Sequence, residues 1–344
     1  MATSDLTTEL EKVDGKLDSS LQTPIRDAIL KQLDDSSNDV QAIACRCLSA
    51  IVQKFNAEQV EEIVDKLGGL LVNGKMELRD IYTIAIKNII SSVPEEYGQQ
   101  ISKKLNKRLL EGFVIKKQSH NATNEEKQEF ERNKLNKEIF CLDLMKDLIT
   151  RFGFLMTDEH QLIINTIQPM LNSENKDIRK KVAVTLGALS ACVNDNQFQT
   201  LMNNVITSID KIKTQKSNDK LFTYIQTIGV FCRNAGQRIS LYLKQIVPLL
   251  ISISMNKDLD DNPTDASKEL RENCLIAFET MILTCPKQMS KFSKDIINLG
   301  LTLMIFDPNY EYNDDNDVTM NDNENKNNNN NVGNIELFGN ALKQ

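Results

Sequence analysis

Tryptophan is absent from this sequence, and only two of its 344 residues are histidines. His120 and His160 each stand alone, so the sequence has no paired-histidine helix and no nucleophile with a nearby base. A glycine-rich phosphate-binding loop is also missing. These absences exclude the common catalytic and metal-binding patterns. We therefore expect a protein that is not an enzyme and that binds no cofactor or metal.

Long apolar runs are lacking as well. No run reaches the roughly 18 residues that a membrane-spanning helix needs, and residues 1–11 lack the basic-then-apolar order of a signal peptide. We therefore expect no membrane contact and a location inside the cell, in the cytoplasm and the nucleus. The cysteines agree with this location, because most occupy apolar positions of helical patterns, as free thiols of a reducing compartment do: Cys45, Cys47, Cys141, Cys192, Cys232, Cys274 and Cys285.

An excess of positive charge is the third absence. The chain has 41 basic and 48 acidic residues, a net charge of −7. Eight of the acids and only two lysines follow residue 306, a balance of −6, which leaves residues 1–306 at −1. A nearly neutral region without basic character argues against nucleic acid as a partner.

Helical periodicity is what the sequence does contain, since apolar residues recur every three or four positions almost throughout. A longer repeat lies above it, in which an acid, an aliphatic residue and usually an arginine open a helix. Its copies recur at intervals near 40 residues, as in HEAT or armadillo repeats. The clearest copies are DVQAIACRCLSAI (39–51), ELRDIYTIAIKNI (77–89), DIRKKVAVTLGAL (177–189) and ELRENCLIAFETM (269–281).

Each copy is interpreted as the second helix of a pair. The sequence therefore predicts an all-α, HEAT/armadillo-type right-handed superhelical solenoid of antiparallel helix pairs in residues 1–306, with about six pairs and an unpaired helix at each end. Two polar insertions, 116–133 and 256–268, are expected to form loops. Residues 307–334 are predicted to be an acidic, asparagine-rich disordered loop, and residues 335–344 a short tail.

The residues that open each copy suggest structural roles. Asp39, Glu77, Asp177 and Glu269 are placed to cap the free N–H groups of their helices and to meet the positive end of the helix dipole. The arginines two residues later, at 79, 179 and 271, are predicted to reach acids of an adjacent repeat. Because recurrence at the repeat period indicates structure, these arginines are not included among the candidate binding residues.

The predicted helix at residues 288–306 is apolar on nearly every face in its second half. Terminal repeats of solenoids normally carry a polar cap, and none is visible at either end of this one. We therefore expect that a second chain could complete the solenoid.

Several segments carry a resemblance to a known family, the cullin-associated neddylation-dissociated proteins, over residues 2 to about 315. The resemblance is to the N-terminal portion of these proteins, which are all-helical HEAT solenoids several times longer than this chain. Its most specific segments are ELRDIYTIAIKNIISSVP (77–94), YIQTIGVFCRNAGQRISLYLKQIVPLL (224–250), ELRENCLIAFETMILTCPK (269–287) and FDPNYEYNDDND (306–317).

The resemblance implies a non-enzymatic scaffold that binds the unneddylated cullin, masks its neddylation lysine and promotes the exchange of substrate receptors in SCF-type ubiquitin ligases. It also implies that the N-terminal repeats contact the cullin C-terminal region and its RING subunit. An importin-type nuclear transport receptor, which also has HEAT repeats and an acidic loop, is the alternative. A phosphatase scaffold is a further alternative, although its repeats would be more uniform in length.

The candidate contact residues are polar side chains that helix packing does not claim, and each could instead be part of a solvated face. Lys103, Lys104, Lys107 and Arg108 share one broad helix face, which could attract an acidic partner. Nucleic acid remains a weaker alternative for this face, since aromatic residues are not interleaved. The other candidates are Gln41, Arg46, Gln53, Asp80, Lys87, Asn88, Lys180 and Lys181.

Overall fold

The computed structural model describes residues 2–114, 123–215, 218–256 and 265–305. Helices are the regular elements of these residues, with short 3-10 turns between some of them. The chain divides into two compact units, 1–203 and 204–344, which are described separately. The predictions for residues 307–334 and 335–344 lie outside the described residues.

Unit 1 is built from two layers of helices. Its helices are α1 (Ala2–Lys12), α2 (Ser19–Gln32), α3 (Asn38–Lys54), α4 (Ala57–Asn73), α5 (Arg79–Ser92), α6 (Gly98–Glu111), α7 (Asn124–Phe152), α8 (His160–Ile167) and α9 (Lys176–Ser190). In the first-helix layer, α2 packs against α4 and α4 against α6. In the second-helix layer, α1, α3, α5, α7 and α9 pack against one another in that order. The helix α1 therefore occupies the position of a second helix.

The division between the units falls within α10 (Asp195–Gln215). Unit 2 continues with α11 (Asn218–Ala235), α12 (Leu243–Ser254), α13 (Asp265–Thr284) and α14 (Ser293–Ile305). The second helices α11 and α13 pack together, and α12 packs against both α13 and α14. The helix α14 therefore takes the place of a first helix. In the described residues the helices follow the predicted order of first and second helices, and the prediction of an all-helical repeat fold is confirmed.

The pairs are held by apolar side chains at helical spacing, as α4 illustrates. Val60, Ile63, Val64, Leu67 and Leu71 are all fully buried, and their spacing places them on one face of the helix. Burying each such side chain contributes about 1.5–3 kcal/mol. Six of the seven cysteines are buried as free thiols, as predicted, while Cys192 is half-buried. Burial raises the pKa of the Cys141 thiol to about 12, so this thiol is unreactive.

The polar insertion at 116–133 is only partly described, and its described part corrects the prediction of a loop. The helix α7 begins at Asn124, so residues 124–133 extend it outward. Thr123 and Glu126 form a reciprocal capping box: the Glu126 amide donates to Thr123 Oγ1 at 3.3 Å, and the Thr123 amide donates to Glu126 Oε2 at 2.7 Å. This cap satisfies the first free N–H groups and allows a highly charged sequence to start a helix.

The second insertion also ends in a helix, because α13 begins at Asp265 and not at Glu269.

The acids that open the repeats do not cap their helices. The side chain of Asn175 caps α9, with Asp177 and Ile178 amides donating to its Oδ1 at 2.9 and 3.1 Å, and α3 begins after Ser37 with no side-chain cap. Asp39 and Asp177 lie in the first turns of their helices, where they meet the helix dipole.

Candidate partner-binding surface

The exposed side of the second-helix layer of unit 1 carries several of the candidate residues. Arg46, Ile84 and Val184 occupy the same repeat position, seven residues after the acid that opens each copy, and all three are exposed. Ile84 and Val184 are 48% and 46% exposed although they are aliphatic. We call seven of the exposed residues of α3, α5 and α9 the second-helix face: Arg46, Gln53, Asp80, Ile84, Lys87, Lys180 and Val184.

Some polar candidates on this layer already join neighbouring helices. Lys87 Nζ on α5 lies 3.5 Å from Asp147 Oδ2 on α7, and Lys181 on α9 pairs with Asp143 on α7. Asn88 donates from Nδ2 to the Cys45 carbonyl oxygen on α3 at 3.0 Å. These three side chains therefore hold successive second helices together, and only part of their polar surface is open to a partner.

Arg46, Asp80 and Lys180 are the candidates on this layer whose side chains are exposed and make no hydrogen bond or ion pair among the described residues. Gln53 is also exposed, and its backbone carbonyl accepts a hydrogen bond from Lys16 Nζ at 3.1 Å. A partner can reach these side chains without breaking an intramolecular contact. Two of the four are cationic and Asp80 is anionic, so these open side chains have a net charge of +1, which slightly favours an acidic partner surface.

Gln41 does not lie on a surface, which corrects its place among the candidates. Its side chain is only 6% exposed, and its Nε2 donates to the Asp35 carbonyl oxygen at 2.8 Å, just after the end of α2. In the repeat, Gln41 occupies the position that holds Arg79, Arg179 and Arg271 in other copies. Its polar side chain therefore serves the packing of a helix pair.

The recurring arginines have the structural role that their period predicts, but with different partners. Arg79 Nε donates to the Leu71 carbonyl oxygen at 3.0 Å, and Arg179 Nη1 donates to the Ser173 carbonyl at 2.9 Å. In unit 2, Arg271 Nε donates to the Ser254 carbonyl at 3.0 Å. Arg79 and Arg271 thus each satisfy a free carbonyl in the last turn of the first helix of their own pair, and Arg179 satisfies one after the 3-10 turn (Gln168–Asn172) that follows α8. The prediction that Arg79 reaches an acid of an adjacent repeat is wrong.

The basic stretch on α6 is partly neutralised by α4. Lys104 Nζ lies 2.8 Å from Glu61 Oε1, and Arg108 makes two hydrogen bonds to the Asp65 carboxylate, at 2.8 and 2.9 Å. The hydrogen bond from Arg108 lowers the pKa of Asp65, and that from Lys104 lowers the pKa of Glu61. Lys103 and Lys107 are exposed, so about half of the stretch remains available to an acidic partner.

The described part of the chain contains neither a metal-binding cluster nor a membrane-spanning helix. No group of three His, Cys, Asp or Glu side chains in this part of the chain is placed to hold a metal ion. Among the same residues, no helix combines the length and the apolar character needed to cross a membrane. Cys192 Sγ does lie 3.7 Å from His160 Nε2, but that nitrogen is also 2.8 Å from the Gly153 carbonyl, and burial lowers the pKa of His160. Because a carbonyl oxygen can only accept, this nitrogen carries a hydrogen and cannot also take a proton from the Cys192 thiol.

Ile84 and Val184 are surface residues that the sequence analysis missed, because apolar side chains were assigned to the core. The repeat could have found them, since both align with Arg46 at a position where the side chain is exposed. An aliphatic residue at an exposed repeat position is a candidate contact for a partner.

Comparisons with known proteins agree with the helix-pair architecture. Residues 25–55 match the model of the HEAT repeat, and residues 153–313 match that of the TAF6 C-terminal HEAT repeat domain. The crystal structure of importin beta superposes with a TM-score of 0.58 at 11% sequence identity, over 83% of this chain and 35% of importin beta. A similarity at this level of identity concerns the fold alone.

Relatives of higher identity carry one family name. The chain is 30% identical over 317 residues to cullin-associated NEDD8-dissociated protein 1 of Arabidopsis thaliana and 32% identical over 312 residues to that of Dictyostelium discoideum. These matches cover 92% and 90% of this chain but 24% of each relative, so the chain spans about a quarter of their length. It is also 19% identical to the "N-terminal part" of this protein from Emericella nidulans, over 68% of this chain and 72% of that one. The chain belongs to the family of cullin-associated NEDD8-dissociated proteins and corresponds to its N-terminal portion.

Proposed function

We propose that this chain is a non-enzymatic scaffold that binds an unneddylated cullin–RING complex through the second-helix face of unit 1. The observation that supports this most is the identity of about 30% to cullin-associated proteins, sustained over nine tenths of the chain. In the proposed complex, the face contacts the C-terminal region of the cullin and its RING subunit. Such binding regulates the assembly of SCF-type ubiquitin ligases in the cytoplasm and the nucleus.

The second-helix face has the composition that such an interface needs. Interfaces combine apolar contacts with charged residues that guide association, and Ile84 and Val184 lie among the cations Arg46 and Lys180. A specific interface buries at least about 1,000 Å² in total, which one helix cannot supply. The packing of α3, α5, α7 and α9 side by side supports a contact of that size.

We propose the exchange of substrate receptors as a further role, which requires additional HEAT repeats besides those of this chain. The relatives are about four times as long as the region they share with it. The face of α14 that does not pack on α12 carries Ile297, Leu301 and Met304, which are 48%, 55% and 60% exposed. We infer that this apolar face receives a helix of further HEAT repeats, supplied by a second chain.

Direct binding to purified complexes tests the proposal. The full chain is immobilised and exposed separately to an unneddylated cullin–RING complex, to its neddylated form and to Ran–GTP. We expect binding of the unneddylated complex alone, because the proposed contact covers the region that carries the modification. Binding of Ran–GTP without any binding of the cullin complex would assign the chain to importin-type transport instead.

Charge reversal on the second-helix face locates the contact. Arg46→Glu and Lys180→Glu each remove an exposed cation and introduce repulsion, and together they should weaken cullin binding by at least about fivefold. Lys31→Glu, an exposed residue of α2 in the first-helix layer, is the matched control and should change affinity less than about twofold. Equal losses in both variants would show that another surface makes the contact.

A further inference from the structure

A cavity at the edge of unit 1 lies between the end of α4, the end of α6 and the outward extension of α7. It encloses about 160 Å³. At ~30 Å³ for each water molecule in the liquid, this is the volume of roughly five waters. A cavity of this size can receive one or two side chains of a partner, but not a folded segment. We call it the Arg79 pocket.

Arg79 lines this pocket with unused hydrogen-bond donors. The side chain is only 2% exposed, and a guanidinium has five N–H donors. Nε donates to Leu71, and Nη1 donates to the Asn133 carbonyl at 3.2 Å and to Asn136 Oδ1 at 3.1 Å. These bonds occupy three donors, and both hydrogens of Nη2 make no hydrogen bond to the described residues. Arg79 is one of the residues that line the cavity, so a ligand there would lie beside these unused donors.

The charge of Arg79 is also uncompensated. Arg26 on α2 and Arg108 on α6 each pair with carboxylates, whereas no carboxylate lies within ion-pair distance of Arg79 in the described part of the chain. Removal from water disfavours a charge unless an opposite charge replaces the water. Burial accordingly lowers the pKa of Arg79. An anion at Nη2 would relieve this cost.

The rest of the lining divides into cationic and apolar parts. Lys134 and Lys137 add positive charge, although Lys134 Nζ lies 3.6 Å from Glu131 Oε2. Glu138 is the acid of the lining, and burial raises its pKa, which favours its neutral form. The apolar part comes from Phe113, Val114 and Phe130, and Val114 is 64% exposed.

We propose that the Arg79 pocket binds an aspartate or glutamate side chain of a partner polypeptide, with the carboxylate at Nη2 and an adjacent apolar side chain against Phe113 and Phe130. A carboxylate matches the unused donors and supplies the missing counter-charge. The apolar wall favours a peptide over a free inorganic anion, which would leave that wall against water. The assignment goes beyond the proposed function, because it depends on no particular partner.

Titration of the full chain with short peptides tests this assignment. The probe is acetyl-Leu-Asp-Leu-amide, and acetyl-Leu-Asn-Leu-amide is its uncharged control. The readout is the side-chain NMR signal of Arg79 in protein labelled with ¹⁵N-arginine. We expect a saturable shift of that signal by the aspartate peptide, and at least about tenfold weaker binding of the asparagine peptide, because the charged hydrogen bond is lost.

Two variants distinguish binding in the pocket from nonspecific attraction to the charged α7 extension. Lys134→Glu places a negative charge in the lining and should weaken binding of the aspartate peptide by at least about threefold. Lys127→Glu makes the same change at an exposed position of the extension outside the lining and should leave binding unchanged. Neither residue is buried, so circular dichroism should show both variants folded.

Three results would overturn the assignment. The first is the absence of any Arg79 shift with the aspartate peptide at concentrations on the order of 10 mM. This concentration is well above a dissociation constant of ~1 mM, which corresponds to a binding free energy of ~4 kcal/mol. The second is equal binding of the two peptides. The third is binding of inorganic phosphate as tight as that of the aspartate peptide, which would make the pocket a general anion site.

Discussion

The polar residues in the third position of the repeats act on the carbonyl end of the preceding helix. A helix leaves its last four carbonyl groups without intrahelical partners. Arg79 and Arg271 each donate to such a carbonyl of their own pair, whereas Arg179 and Gln41 donate to carbonyls that follow the first helix of theirs. The shorter glutamine reaches the Asp35 carbonyl, beyond the end of α2. A side chain at this position therefore serves as a C-terminal cap supplied by the next helix.

Replacing Arg179 with methionine should test this capping role. Arg179→Met keeps much of the length of the side chain but leaves the Ser173 and Glu174 carbonyls without their donor. We expect a loss of about 1–3 kcal/mol in the free energy of unfolding, measured by urea denaturation followed by circular dichroism. Lys180→Met, at the neighbouring exposed position, is the control and should change it by less than about 0.5 kcal/mol. Equal effects of both variants would contradict the capping role.

The sequence predicted the structural role of a residue only where that residue recurs at the repeat period. The recurrence of Arg79, Arg179 and Arg271 predicts structure, but not the identity of their partners, because carbonyl groups belong to every residue type. Gln41 was assigned to the surface by its polarity, whereas its repeat position places it inside. The free donors of Arg79 depend on how three helices converge, which spacing alone does not reveal.

At the scale of elements, acids of α4 lie between basic side chains of α2 and α6. Arg26 pairs with Glu62, Lys104 with Glu61, and Arg108 with Asp65. These contacts join residues 36 to 43 positions apart, so they hold successive first helices in register. Ion pairs with at least one partner open to water contribute only about 0.2–1 kcal/mol each, so the burial of apolar side chains stabilises these helices more than the ion pairs do.

The ion pair of Asp65 should make part of the stability of unit 1 sensitive to acid. Because its hydrogen bond with Arg108 lowers the pKa of Asp65 in the folded chain, its contribution is complete above the unfolded value of about 3.9. That contribution is lost as the pH falls through the lowered folded-state pKa. Asp65→Asn should therefore cost about 0.5–1 kcal/mol at pH 7, and the difference from wild type should shrink in acid below about pH 4.

Urea denaturation at a series of pH values measures this effect. Asp80→Asn, an exposed carboxylate of α5 with no ion pair among the described residues, is the matched control and should parallel wild type. A constant difference between Asp65→Asn and wild type from pH 7 to pH 3 would show that the hydrogen bonds to Arg108 do not depend on the charge of Asp65.

The elements themselves were largely predictable, and the errors have local causes. Repeats near 40 residues long separate first from second helices because each pair must bury an apolar stripe on both helices. The extension of α7 was predicted to be a loop because its residues are charged. Charge does not exclude a helix, and the cap formed by Thr123 and Glu126 starts one. The pairs between α2, α4 and α6 could not be predicted without the packing.

At the scale of the molecule, the exposed side of α14 is an apolar surface patch. Ile297, Leu301 and Met304 follow one another at helical spacing on the side that does not pack against α12. Contiguous apolar side chains of this kind mark contact surfaces. In the absence of a covering helix, the same face can bring two copies of the chain together.

Sedimentation of the isolated chain tests this consequence. We expect the average mass of wild type to rise above that of the monomer as the concentration increases, because association removes the α14 face from water. Leu301→Lys should shift the average mass back towards the monomer. Thr302→Lys adds the same charge at the adjacent exposed position and should associate as wild type does. A wild-type chain that stays monomeric at all concentrations would count against an exposed contact face.

The contacts that cap helices and those that join first helices differ in how they respond to solvent. The carbonyl-capping side chains Gln41, Arg79 and Arg179 are buried, so dissolved salt hardly reaches them. Arg108 and Asp65 are each about 30% exposed, and salt screens such a pair. In unit 1, the ion pairs between successive first helices therefore weaken as the ionic strength rises. We therefore expect unit 1 to bend more easily as the salt concentration rises.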